Sequence, residues 1–163
     1  INALNEICLK QHTRLCYVKP HGALGNLAAR DADVAQAICR AVKQLDPSLA
    51  ILAISGAQLE IAARQNGLDV YSEIFADRGY LSSGQLVPRG QDGAMIHDAD
   101  EAADRLLSVL ETGKMPVIDG DPITLAADSI CVHGDGPSAV AMAQAIHSRL
   151  TDAGISLRSF CAS

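Results

Sequence analysis

Apolar residues along this chain fall into two arrangements, short unbroken runs and stripes spaced three and four residues apart, and their alternation predicts the elements. Ile1, Leu4, Ile7 and Cys8 open with helical spacing. Arg14 to Lys19 is short and largely apolar, stops at Pro20, and suits a buried strand. Val34, Ala37, Ile38, Ala41, Val42 and Leu45 form the stripe of a helix lying on a sheet, with Pro47 beyond its end. Leu49 to Ser55 predicts a second strand, and the helical stretch after Gly56 closes at Asn66-Gly67, where the glycine can end it. Asp69 to Ala76 is a third strand that runs straight into Asp77, Arg78 and Tyr80.

Leu81 to Gly93 is rich in Gly, Ser and Pro and predicts a long loop that can hold a hairpin. Asp98 with Glu101 three positions on reads as a capping box, opening a helix with Ala99, Ala102, Ala103, Leu106, Leu107 and Leu110 on one face. Met115 to Thr124 carries turn chemistry at Asp119-Gly120-Asp121-Pro122 between two short apolar pieces. Ser129 to Val132 is the next strand, Pro137 suits the first position of a helix with Val140, Ala141, Ala145 and Leu150 on its apolar face, and Ser156 to Phe160 is a candidate last strand. Strands alternating with amphipathic helices define an α/β class with right-handed crossovers and a parallel sheet covered by helices. About five such units fit, whereas a closed eightfold barrel needs about 250 residues.

Composition narrows the functions. With 163 residues and 48% apolar content the chain fits one domain with a real core. A formal charge of −6, two Phe, three Tyr and no Trp argue against nucleic acid, which needs basic surface and stacking rings. No apolar stretch approaches a membrane span and no basic leader precedes a cleavage site, so no membrane contact and a cytoplasmic location are expected. The five cysteines, Cys8, Cys16, Cys39, Cys131 and Cys161, form no CxxC pair and read as small core residues of a reducing compartment.

Polar residues of chemical interest collect just after the strands, at Lys19 and His21, Ser55, Asp77 and Arg78, and His133 and Asp135. Parallel-sheet enzymes place their sites there, because every strand delivers its next residues to one face. The segment Lys19-Pro20-His21-Gly22-Ala23-Leu24-Gly25-Asn26 joins a cation, an imidazole and an amide in a glycine-bearing loop that suits a carboxylate; a plain turn is the alternative. Asp77 and Arg78 either pair with each other or offer a general base and an anion clamp. His133-Gly134-Asp135-Gly136-Pro137 leads from strand to helix start, where free N–H groups favour an anion and Asp135 can fix the His133 tautomer; an ordinary capped turn is the alternative. His97, His12 and His147 read as structural or surface residues, and Arg89 as part of the long loop.

The stretches VKPHGALGN (18–26), FADRGY (75–80), LVPRGQDGAMIHD (86–98) and SICVHGDGP (129–137) resemble successive motifs of the LamB/YcsF family, in the expected order over nearly the whole chain. The resemblance implies a distorted (β/α) barrel of the glycoside hydrolase/deacetylase type, of which residues 1–163 would be a single domain, the C-terminal part, with an Asp-rich first-strand motif and further His motifs absent. It implies that the chain works as the A-type component, with subunits B and C, of the bacterial ATP-dependent 5-oxoprolinase that opens the lactam of 5-oxoproline to L-glutamate. On matching positions it points to His21, Asp77, His133 and Asp135 as catalytic and to Lys19, Asn26, Arg78, Tyr80 and Arg89 as substrate-binding. The usual VKPHGALYN has Tyr where Gly25 stands here, which removes a ring and a hydroxyl from the expected rim.

No P-loop GxxxxGK[ST] is present, so ATP would enter through the complex. Two other functions remain in view. One is a metal-dependent carbohydrate deacetylase, in which strand-end His and Asp would hold a divalent metal, although few aromatic rings are available to stack on sugar. The other is a non-catalytic or truncated subunit. Homo-oligomers are compatible with any of the three.

Overall fold

Parallel strands form where the sequence has its unbroken apolar runs, and helices form between them. The computed structural model describes residues 1–134 and 138–161, and the chain divides into two compact units.

The first unit takes Ile1–Ala53, Gln58–Tyr71 and Cys161–Ser163. Helix α1 (Asn2–Lys10) is followed by a two-residue strand β1 (Tyr17–Val18), much shorter than the Arg14 to Lys19 run predicts. Helices α2 (Gly22–Arg30) and α3 (Ala32–Leu45) come next, joined by Asp31, whose carboxylate caps α3 by accepting from the N–H groups of Asp33 and Val34. Strand β2 (Ala50–Ile54) pairs in parallel with β1, Tyr17 facing Ala50 and Val18 facing Ile51. Helix α4 (Gln58–Gln65) ends at Gly67, whose φ of +69° lets the Leu68 N–H return to the Ala63 carbonyl. The core is made by Ala35, Cys39 and Val42 from α3, Leu49, Ile51 and Ala53 around β2, and Leu59, Ala62 and Ala63 from α4.

One expectation fails in this unit. The segment Lys19 to Asn26 is not a loop throughout: it turns at His21 and enters α2 at Gly22. The glycines mask a helix whose other residues, Ala23, Leu24, Leu27, Ala28 and Ala29, are helix formers. Gly25 also lies against the preceding turn, where an added Cβ would sit 2.7 Å from the Pro20 carbonyl oxygen.

The second unit takes Ile54–Ala57 and Ser72–Phe160. Strand β3 (Val70–Phe75) enters it at Ser72 and pairs in parallel with β6 (Ser129–Cys131), with Glu73 opposite Ser129 and Phe75 opposite Cys131. Helix α5 (Ala99–Thr112) starts at the predicted cap, Asp98 accepting the Glu101 N–H at 2.8 Å, and stops at Gly113 in the left-handed region. The turn-rich segment after it is an antiparallel hairpin of β4 (Lys114–Met115) and β5 (Ile123–Thr124). Helix α6 (Ala139–Asp152) packs on α5, and the core gathers Ile74, Phe75, Tyr80, Leu106, Val109, Met115, Met142, Ile146 and Leu150.

Three readings are corrected here. Helix α6 runs from Ala139 with Ser138 as its cap residue, the expected start at Pro137 lying outside the described residues, and it buries Met142, Ile146 and Leu150 while Val140 and Ala141 face solvent. Leu150 and Ala145 do face the core as the stripe predicts, and only its first turn, Val140 and Ala141, is misplaced. Ser156 to Phe160 forms no strand; Ser156 to Ser159 are exposed, so no burial rewards pairing. Of the five cysteines only Cys39 is a core residue, the others being half-buried. The long loop does hold the hairpin, with bridges between Tyr80 and Leu86 and between Arg78 and Met95. Among the described residues no helix is long and apolar enough to cross a membrane.

The architecture is α/β, parallel strands with outer helices, as the sequence pattern and the barrel resemblance both predict.

Candidate functional site

Strand β3 ends by donating the Ala76 N–H to the Cys131 carbonyl, which holds the following residue, Asp77, beside the end of β6. The Asp77 carbonyl accepts the Ile96 N–H at 2.9 Å, so its backbone is fixed from the loop side as well. Its carboxylate, with only 6% of the side chain exposed, meets the His133 ring: Nδ1 lies 2.7 Å from Oδ2 and 3.0 Å from Oδ1. The His133 N–H adds a longer contact of 3.4 Å to Oδ2. The ring stacks on Phe75 with centroids 5.6 Å apart and 28° between planes.

This is a carboxylate-oriented imidazole. An ionised carboxylate only accepts, so the pairing selects the tautomer with a proton on Nδ1 and leaves the Nε2 lone pair available. Such a pair can take a proton from water or return one to a leaving group. His133 also lines an open groove of about 540 Å³ with Val132, Gly134, Ala139, Val140, Ala143, Gln144, His147 and Ser148.

Sequence neighbours suggest Asp135 as the residue that fixes His133; Asp77, 56 residues away, does so. Asp135 itself lies outside the described residues, as do Gly136 and Pro137. The pairing of Asp77 with Arg78 is likewise replaced. The Arg78 guanidinium is buried, donating from Nε to the Ala94 carbonyl at 3.0 Å and from Nη2 to the Val87 carbonyl at 2.6 Å. Burial and then the charge of Arg89 pull its pKa down, while Asp77 pushes it back up. Arg78 thus ties the long loop to the strand end.

Tyr80 is fully buried, and its hydroxyl accepts the Phe75 N–H at 2.9 Å under the Arg105 guanidinium, 5.6 Å from the ring centre. Burial pushes its phenol well above the ordinary range. It closes the core beneath the site. Arg89 is exposed on the loop.

Lys19, His21 and Asn26 belong to the first unit. Lys19 is half-buried just past β1. His21 is exposed, and its Nδ1 accepts the Gly22 N–H at 2.8 Å at the start of α2. Asn26 is exposed on α2.

Two residues escaped the sequence reading. Arg105 sits on the buried stripe of α5, donating to the Ala76 carbonyl and to Met115 Sδ, and with His97, Asp98 and Glu101 it lines a second cavity of about 500 Å³. Glu73 is buried in the middle of β3. A charge inside an apolar stripe or run was the available signal in both cases.

A buried carboxylate holding an imidazole at the ends of parallel strands is an arrangement that α/β enzymes use at their sites. The LamB/YcsF family profile matches residues 1–163, and the chain belongs to that family. It is 47% identical over 160 residues to the 5-oxoprolinase A subunit of Paracidovorax citrulli (strain AAC00-1), covering 98% of this chain and 64% of that one. It is 50% identical over 161 residues to the 5-oxoprolinase A subunit of Azorhizobium caulinodans, covering 98% and 63%. The crystal structure of the Lactam Utilization Protein from Thermus thermophilus superposes with a TM-score of 0.88 at 41% identity, over 97% of this chain and 63% of that chain. The chain therefore spans just under two thirds of the length of the relatives it matches.

Proposed function

We propose that this chain serves as the A-type subunit of an ATP-dependent 5-oxoprolinase, a hydrolase that opens the lactam of 5-oxoproline to L-glutamate together with subunits B and C. The observation that carries the reading is the buried Asp77 carboxylate on His133, a proton-handling pair at strand ends in a family whose relatives bear that name. His133 takes the proton of the attacking water and later delivers one to the ring nitrogen as the amide C–N bond breaks, with Asp77 holding the imidazole in place. Lys19 and His21, just past β1, are assigned to the substrate carboxylate and to proton transfer from the family resemblance, with Asn26 in the same set and Arg89 a weaker addition. A stable lactam is a poor electrophile, so ATP supplied through the complex makes chemical sense.

A divalent metal enters a deacetylase-like alternative. Among the described residues no three His, Cys, Asp or Glu are grouped to hold one, so no step is routed through a metal.

The test is ATP hydrolysis dependent on 5-oxoproline by the chain assembled with subunits B and C. Turnover is expected with the native chain and a loss of about 10²–10⁴-fold with His133→Gln, the scale of general acid–base catalysis. Undiminished turnover by that variant removes the pair from the mechanism, and no response to 5-oxoproline in the native complex removes the substrate.

A further inference from the structure

We propose that Arg105 is a positioning residue for the Asp77–His133 pair: from helix α5 its guanidinium fixes the peptide that leads into Asp77, and with it the carboxylate on the imidazole. Its bearing on turnover rests on the hydrolase function proposed above; its bearing on the geometry of the pair does not.

Arg105 is rooted in the core of the second unit. Ala102, Ala103, Leu106 and Val109 on the same helix are buried, so the side chain leaves from a fixed point. Three contacts then hold the guanidinium. Nη1 donates to the Ala76 carbonyl at 3.3 Å and Nη2 to Met115 Sδ at 2.9 Å, while the group lies over the Tyr80 ring, 5.6 Å from its centre. Ala76 and Tyr80 bracket Asp77 in the chain.

The Ala76 carbonyl and the Asp77 N–H share one planar peptide. Rotating that plane would swing the Asp77 side chain away from the position in which Oδ2 lies 2.7 Å from His133 Nδ1. The neighbouring planes have other anchors: the Ala76 N–H donates to the Cys131 carbonyl, and the Asp77 carbonyl accepts from the Ile96 N–H. Arg105 holds the plane between them. Through Tyr80 the same cation reaches the other partner, since the Tyr80 hydroxyl accepts the Phe75 N–H at 2.9 Å and the Phe75 ring stacks on His133.

Charge acts in the same direction. Burial pushes the Arg105 pKa down, while Tyr80, Glu101 and Asp77 push it back up. A guanidinium keeps its proton under such pressure, so a fixed cation faces the Asp77 carboxylate from behind the strand end.

The test compares the imidazole nitrogen shifts of His133 in the native chain, Arg105→Met, Arg105→Lys and Val109→Ala. Val109→Ala loosens the same core from the same helix, and is expected to lower the Tm while the His133 proton stays on Nδ1. Arg105→Met is expected to weaken that Nδ1 preference. Arg105→Lys keeps the charge and one donor for the Ala76 carbonyl, and should weaken it less. In the complex with subunits B and C, Arg105→Met should lower kcat for 5-oxoproline by up to about 100-fold with KM little changed, because orientation rather than substrate contact is lost. An unweakened Nδ1 preference in either Arg105 variant, or equal weakening in Val109→Ala, would overturn the proposal. A native complex that ignores 5-oxoproline would remove the hydrolase function and leave the spectroscopic comparison to decide the role of Arg105.

Discussion

Truncating Arg78 to Ala removes two charged hydrogen bonds and leaves the Val87 and Ala94 carbonyls without that donor inside the loop. Hydrogen bonds of this kind are worth about 1.5–3 kcal/mol each, and losses in one network overlap, so a stability loss of about 2–4 kcal/mol is expected in denaturant unfolding. A variant with native stability would contradict the tie. Tyr80 gives a pH signature. Its phenol is pushed up in the folded state, mainly by burial, so the stability it contributes is complete below the ordinary phenol range near 10 and declines as pH rises through that range toward the folded value. Unfolding followed from about pH 8 upward should show that decline, and Tyr80→Phe should flatten part of it while losing the acceptor for the Phe75 N–H. Both residues were legible as unusual in the sequence, yet their motif, FADRGY, reads as a substrate wall. The structure spends the Arg on backbone carbonyls and the Tyr on a strand N–H, because a long irregular loop crossing a strand end has unpaired backbone groups to satisfy.

Among the elements, that loop depends on Gly79. An added Cβ would stand 1.9 Å from the Gly93 carbonyl oxygen, while the Gly79 N–H and carbonyl bond to Ala94 and Val87. Gly79→Ala is expected to cost at least the upper part of the about 1–3 kcal/mol usual for overpacking, since backbone rather than a pliable side chain must give way. Calorimetry would read this as a lowered Tm, and an unchanged Tm would mean the two backbone segments are not so close. Helix α5 was the most readable element: the Asp98 cap and the apolar stripe agree, and both are in place. Helix α2 was unreadable because glycines that serve close packing look like loop signals, and α6 slipped because Val140, 71% exposed, imitates a core position. The short strand β1 shows a further limit, since apolar character predicts burial better than it predicts ladder length.

At the scale of the molecule, alternating runs and stripes were enough for the α/β class, and the positions just past strands were enough to single out Asp77 and His133. Their pairing was not readable, because it joins residues 56 apart through the parallel register of β3 and β6 rather than along the chain. Local sequence offered Asp135 instead. Family membership agrees with the class, and this chain spans 64% of the length of one such relative. The central claim is that the fold places one carboxylate on His133 Nδ1 and leaves Nε2 open. Nitrogen-detected NMR of the imidazole rings, at a pH where histidines are neutral, measures this directly. The account predicts a proton on His133 Nδ1, with that preference weakened by Asp77→Leu; a proton on Nε2 in the native chain, or no response to the substitution, would contradict it.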